Sequence, residues 1–173
     1  MKVIKAKTAG FCFGVKRAVD TVYKQVDTKC GQIYTYGPII HNEEVIKDMR
    51  DKGVIVLRSE EDLDMISQGT VIIRSHGVEK RIYEKIEQKG LRIVDATCPF
   101  VKKIHNIVSE KSGEGFHIII IGNPEHPEVV GIKGWAKDNV TVIQSAEDAE
   151  CFTADRKEKI CIVSQTTFNY NKI

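Results

Sequence analysis

Residues 70–99 read TVIIRSHGVEKRIYEKIEQKGLRIVDATCP. Thr70 to Arg74 is an apolar run of strand length, closed by Ser75-His76-Gly77. Glu79 to Lys89 reads as a helix that stops at Gly90, a residue type suited to the left-handed backbone of a helix end. Leu91 to Val94 is a second apolar run. Asp95-Ala96-Thr97-Cys98 then leads to Pro99, which suits the first turn of another helix because no backbone donor is needed there. A strand, a helix and a strand joined by tight turns predict parallel pairing with the helix as crossover.

The same alternation extends both ways. Upstream, Val3-Ile4 predicts a first strand and Val15 to Gln25 a helix with Val15, Val19 and Val22 near one face. Gln32 to Tyr36 predicts a strand broken by Gly37-Pro38, and Asn42 caps a helix from Glu43 to Lys52 that Gly53 stops. Val54 to Leu57 follows as a strand, and Ser59 to Asp62 starts a short helix. Downstream, the helix after Pro99 runs to about Lys111 and ends at Gly113 and Gly115. Phe116 to Ile121 predicts a buried strand closed by Gly122-Asn123-Pro124-Glu125-His126-Pro127, with a helix through Trp135 after it. A strand at Val140 to Ile143, a helix from Ser145 and a last strand at Lys159 to Ser164 complete the pattern. The expected architecture is α/β: tandem small domains of mostly parallel sheet flanked by helices. Residues 1–97 hold about four strands and residues 98–173 about three.

Bulk properties narrow the function classes. The 173 residues carry a formal net charge of +2 with the cations scattered, which offers no footprint for nucleic acid or a membrane surface. Ile118 to Ile121, the longest apolar run, is far too short to span a bilayer. Met1-Lys2-Val3-Ile4 does not open a signal-peptide pattern, so a cytoplasmic location is expected. In that compartment Cys12, Cys30, Cys98, Cys151 and Cys161 read as thiols or metal ligands rather than disulfides, and no CxxC pair marks a zinc ribbon.

Ligands of open α/β sheets bind outside the carboxyl ends of the strands, and this chain loads those ends with reactive side chains. Cys12, His41, His76, Cys98 and His126 each follow a strand-like run beside Gly or Pro, which predicts one composite site. His105 falls inside a helix and His117 inside a strand. Taken singly, each residue has an ordinary structural role. Cys30, Cys151 and Cys161 read as small buried hydrophobes. Glu128 either holds a proton near the histidines or favours the dipole of its helix start. Thr166 either orients a polar ligand or caps a following helix. Two thiolates suit iron–sulfur or zinc, and three histidines with turn amides suit an anion such as diphosphate. A non-catalytic anion-binding module, or a zinc or redox sensor built on Cys12 and Cys98, stands as the alternative to an enzyme.

Six motifs in one order carry a resemblance that runs from residue 1 to about 170. They are Gly10-Phe11-Cys12-Phe13-Gly14-Val15, Gly37-Pro38-Ile39-Ile40-His41-Asn42, Arg74-Ser75-His76-Gly77-Val78, Asp95-Ala96-Thr97-Cys98-Pro99, His126-Pro127-Glu128-Val129 and Ser164-Gln165-Thr166-Thr167. Together they closely resemble the LytB family. These reductases turn 4-hydroxy-3-methylbut-2-enyl diphosphate into isopentenyl and dimethylallyl diphosphate, the last step of the methylerythritol phosphate route to isoprenoids. The resemblance implies three similar α/β domains around a [4Fe–4S] cluster, with Cys12 and Cys98 as cluster ligands. It implies that His41, His76 and His126 bind the substrate diphosphate, that Glu128 donates a proton and that Thr166 helps hold the substrate hydroxyl. It also implies a ferredoxin- or flavodoxin-type electron donor. The family's third cluster cysteine lies downstream of Gln-Thr-Thr, past Ile173, and Cys151 and Cys161 precede that motif, so neither corresponds to it. The chain is therefore expected to be the first two domains of such an enzyme, inactive alone and holding a cluster poorly or not at all.

Overall fold

The computed structural model describes residues 2–28, 31–155 and 157–169. After α1 (Phe13–Thr28) come β1 (Ile33–Tyr36), α2 (Glu43–Asp51), β2 (Ile55–Leu57), α3 (Glu60–Asp64), β3 (Thr70–Ile73), α4 (Lys80–Gln88) and β4 (Arg92–Asp95). These four strands form one parallel sheet in the order β2-β1-β3-β4. A second parallel sheet, ordered β6-β5-β7, joins β5 (His117–Ile121), β6 (Val140–Ile143) and β7 (Ile160–Ser164). Its helices are α5 (Pro99–Gly113), α6 (Pro127–Lys133) and α7 (Ala146–Cys151). No described helix is long and apolar enough to cross a membrane.

β3 shows why a continuous apolar run suits a central parallel strand: all four of its residues are buried, because helices cover both faces. Val71 and Ile73 pack with Leu63 of α3 and with Ile82 and Ile86, four residues apart on α4. Ile72 points the other way, into Ala18, Val19 and Val22 of α1 and Met49 of α2. In the second sheet Ile118 and Ile120 pack on Val108 of α5 and on Val129 and Ile132 of α6.

From Gln32 onward, the predicted helices and strands that fall on described residues form within a few residues of their expected ends. The N-terminal strand does not. Val3 and Ile4 carry no strand and are each 79% exposed. Two adjacent apolar residues between Lys2 and Lys5 point to opposite sides of an extended chain, so they supply no single face to bury. Cys12 consequently does not follow a strand; it directly precedes α1.

The two sheets are tied together where α6 meets the turn after β3. A Cβ added at Gly131 would lie 3.6 Å from the backbone of Gly77 and Val78. One added at Gly134 would collide with the Glu79 side chain and lie 2.9 Å from its Cα. The indole Nε1–H of Trp135 donates to the Val78 carbonyl at 2.9 Å, and the Lys80 N–H to the Gly134 carbonyl at 3.4 Å. Gly134→Ala is therefore expected to lower unfolding free energy by about 1–3 kcal/mol through overpacking. Gly113→Ala, at a helical position with open space around it, is expected to raise it by about 0.4–1 kcal/mol. Urea denaturation of the two variants checks both signs.

Candidate functional site

In each sheet the chain reverses its winding direction at one gap between strands. In the first sheet β1 leads outward to β2, whereas β3 leads the other way to β4, so the reversal lies between β1 and β3. In the second it lies between β5 and β7. Crevices form at such gaps, beyond the carboxyl ends of the strands. The loop after β1 carries His41, the loop after β3 carries His76, and the loop after β5 carries His126. β7 is followed by Gln165 and Thr166.

Local chemistry fixes each loop. The Asn42 side chain accepts from the Val45 N–H at 3.1 Å, which starts α2 directly after His41. The Ser75 hydroxyl and N–H both donate to the Ile39 carbonyl, at 3.1 and 3.3 Å, and the Ser75 carbonyl accepts from the Cys98 N–H at 2.9 Å. Ser75 thus ties the His41, His76 and Cys98 loops to one another. Across the second sheet, the Gln165 side chain accepts from the Asn123 N–H at 3.2 Å and donates to Thr167 Oγ1 at 2.9 Å. Gly122 leaves the space this needs, since a Cβ there would lie 3.0 Å from both Gln165 Cβ and Oε1.

The result is a triad of imidazoles drawn from both sheets. Ring centroids are 4.8 Å apart for His41–His76, 5.5 Å for His76–His126 and 6.3 Å for His41–His126. One ring nitrogen from each lies within 4.8 Å of the others. His126 also caps α6: its Nδ1 accepts from the Glu128 N–H at 3.1 Å. That bond assigns the neutral tautomer with hydrogen on Nε2, leaving Nε2–H free to donate. Glu128 is 1% exposed, and Thr166 addresses both of its oxygens. The Thr166 N–H donates to Oε1 at 2.6 Å and its hydroxyl donates to Oε2 at 2.9 Å. Each oxygen keeps a lone pair for a proton or a ligand donor.

Electrostatics disfavour protonation of His76 and His126. Burial, then the neighbouring His41, Arg74 and His126, push His76 down to about 4. His126 is also lowered, mainly by burial and despite the opposing carboxylate of Glu128. Arg74 was quoted within its motif but given no role by the sequence, and the structure shows why it matters. Its half-buried guanidinium lies over Gly37, where a Cβ would collide with it, and its charge is felt at both His76 and His126. What singles it out is that, among the described residues, it makes no ion pair; spacing in the sequence carries no such signal.

Cys12 and Cys98 sit at the starts of α1 and α5. Their carbonyls accept the first helical bonds, from Lys16 and Lys102, each at 2.9 Å. A Cβ built on Gly14 would lie 2.6 Å from Cys98 Sγ, so Gly14 is the cradle that lets the Cys98 sulfur rest against the first turn of α1. Arg17 of α1 holds the other side of that loop, donating to the Thr97 carbonyl at 2.9 Å and the Asp95 carbonyl at 3.3 Å. Both thiols are free, Cys12 exposed and Cys98 half-buried. Two soft sulfur donors at adjoining helix N-termini are a donor set suited to an anionic iron–sulfur group.

Cys151 and Cys161 lie elsewhere. Cys161 packs partly buried in the core of the second sheet, as a small hydrophobe does. Cys151 is exposed at the end of α7, against expectation, because α7 buries none of its residues. Cys30 lies outside the described residues. His105 is 1% exposed within α5, stacked on Trp135 at 5.1 Å. His117 is held by Glu158 and Thr141, each at 2.8 Å.

Comparison with known proteins places this geometry. The family model described as LytB protein matches residues 3–173. A 4-hydroxy-3-methylbut-2-enyl diphosphate reductase of Caldanaerobacter subterraneus subsp. tengcongensis is 48% identical over 168 residues, covering 96% of this chain and 58% of that protein. The same-named protein of Thermoanaerobacter sp. is 49% identical over 169 residues, with 96% and 58% covered. The solved structure of the E-1-hydroxy-2-methyl-but-2-enyl-4-diphosphate reductase from Plasmodium falciparum is similar with a TM-score of 0.89 at 31% identity, over 96% of this chain and 52% of that one. The structure of (E)-4-hydroxy-3-methyl-but-2-enyl diphosphate reductase, the terminal enzyme of the non-mevalonate pathway, is similar with a TM-score of 0.81 at 38% identity, over 98% and 59%. The chain thus spans 58% of the length of these two curated relatives.

His76 and His105 are both harder to protonate in the folded chain than in an unfolded one, each being lowered to about 4, His105 chiefly by burial. The unfolded state therefore binds more protons between about pH 4 and the ordinary histidine value near 6.5. Stability is expected to fall as pH drops through that window. Proton NMR of the histidine rings should show both residues neutral at pH 6; a midpoint near 6.5 for His76 would contradict the triad's electrostatics.

Proposed function

Because the chain belongs to the LytB family, we propose that it supplies the diphosphate-binding and proton-donating parts of a 4-hydroxy-3-methylbut-2-enyl diphosphate reductase. The observation that carries this reading is the convergence of His41, His76 and His126 beside the Glu128–Thr166 pair. The two sheets, each with its own apolar core, are read as two domains meeting near residue 97.

Neutral imidazoles suit a site that must be vacant in water and filled by an anion. Diphosphate brings several acceptor oxygens, and each ring can offer one N–H to a different oxygen. Its charge opposes the burial and the neighbouring positive charge that lower His76 and His126, so binding draws protons onto them and makes the hydrogen bonds charge-assisted. His126 Nε2–H is aimed by the capping bond on its other nitrogen. Arg74 adds a fixed positive charge behind His76.

The reaction replaces an allylic C–OH by C–H and releases water, consuming two electrons and two protons. Cys12 and Cys98 would hold the family's iron–sulfur cluster, read here as [4Fe–4S], together with ligands outside these two cysteines. When bound, that cluster supplies a Lewis-acidic iron and the route for electrons from a ferredoxin- or flavodoxin-type donor. The protein's own task is the proton. Glu128 is buried and held at both oxygens by Thr166, so a proton placed on it has a defined direction. Thr166 spends its N–H and hydroxyl hydrogen on Glu128, while its hydroxyl oxygen remains an acceptor for a substrate hydroxyl or a water.

A second reading has a specific observation behind it, since three imidazoles in one place can hold a divalent metal. Magnitude decides against it. Nitrogens sharing a tetrahedral zinc at about 2.0–2.1 Å lie roughly 3.3 Å apart, whereas these spread to 4.8 Å. Separate oxygens of a diphosphate match the wider spacing.

In the protein expressed at the full length of its relatives, Glu128→Gln keeps an acceptor for the Thr166 N–H and a donor for its hydroxyl, but cannot carry the proton. Turnover should fall by about 10²–10⁴-fold with KM changed only a few-fold. Wild-type turnover in that variant would remove Glu128 from the mechanism. Cys12→Ser in the same protein should abolish the brown colour after anaerobic reconstitution with iron and sulfide, and retained colour and activity would sink the ligand assignment.

A further inference from the structure

A cavity of about 530 Å³, with Gly37 and Pro38 in its wall, opens between the ends of β1 and β2 and the start of α2. Arg74, Arg58, Arg50 and Lys47 line it, with Glu43 and Glu44. No histidine does. The two glutamates belong to the first turn of α2, where the helix dipole already favours negative charge. Four cations against two acids leave the wall net positive. Among the described residues none of the four cations makes an ion pair.

Arg74 is the informative member. Its guanidinium is partly desolvated, and burial lowers its proton affinity. The hydrogen bond it makes runs from Nε to the Gly77 carbonyl at 3.4 Å, which is long. Its two terminal amino groups have no acceptor among the described residues. A guanidinium partly withdrawn from water with no ion-pair partner among the described residues carries a desolvation cost that an anion would offset. The volume falls within the range of about 300–1,000 Å³ typical of small-molecule sites, and the concave shape fits a small anion better than a protein surface.

We propose that this cavity is a second anion site, distinct from the histidine triad, that takes a phosphate-bearing small molecule on Arg74, Arg58 and Arg50. The forked donors of arginine match two phosphate oxygens at once. Gly37 is what allows the sharing: with no side chain there, the Arg74 guanidinium lies against its backbone and lines the cavity while its charge still reaches His76.

The proposal does not depend on the reductase reading, and isothermal titration of this chain with inorganic diphosphate separates the two. Wild type is expected to bind two equivalents. Arg50→Ala/Arg58→Ala alters two exposed side chains, so it leaves the fold intact; it should weaken one event at least tenfold and spare the other. His41→Ala/His76→Ala should do the converse. A single wild-type event lost only with the arginines supports the cavity and removes the triad as an anion site. A single event lost only with the histidines overturns the cavity proposal, as does an isotherm unmoved by the arginine pair, or no binding at all.

Discussion

The seating of α6 on the turn after β3 is the contact on which the rest of the site depends. His126 is the cap of α6, and His76 is part of that turn. Gly131 of α6 and its cap Gly134 bring the backbone to within van der Waals contact of Gly77, Val78 and Glu79, and Trp135 locks the approach with a hydrogen bond to the Val78 carbonyl. Behind the turn, His105 fills the space that a Gly77 side chain would take and stacks on the same indole. A methyl group at the wrong place here would separate the two sheets at their common point. The imidazoles would then lose one another while both sheets remained folded.

The second constraint is electrostatic. Partial burial beside an arginine and a third imidazole makes the protonated forms of His76 and His126 unfavourable, and both are lowered. Such a cluster is stable only while neutral, and an anion reverses that preference. Glu128 stands at the edge of the cluster, with both oxygens occupied by a single threonine on the neighbouring strand end. His126, Glu128 and Thr166 therefore share one frame, set by the gap between β5 and β7.

Much of the fold was legible because parallel strands covered on both faces are simple apolar runs. Thr70 to Ile73 and His117 to Ile121 fall between turn residues that leave no other reading. Val3-Ile4 failed for a reason local pattern does not contain: a strand needs a neighbour and a face, and two residues between lysines find neither. Cys151 failed similarly, since α7 lies on the surface and buries nothing. The histidines and cysteines were conspicuous by type and by their glycine and proline neighbours. Arg74 was not, because its importance is the lack of an ion pair among the described residues, and ion pairs are a property of space.

Residue order by itself determined the alternation of strands and helices, the parallel pairing, and which loops carry His41, His76, Cys98 and His126. Those follow from short-range rules: apolar periodicity, glycine stops and capping side chains. Only the tertiary structure decided that loops from two different sheets meet, that Glu128 belongs to Thr166 and that Gly14 cradles Cys98. These pairings join residues far apart in the chain, and they are selected by packing of whole helices and sheets, which no local pattern encodes.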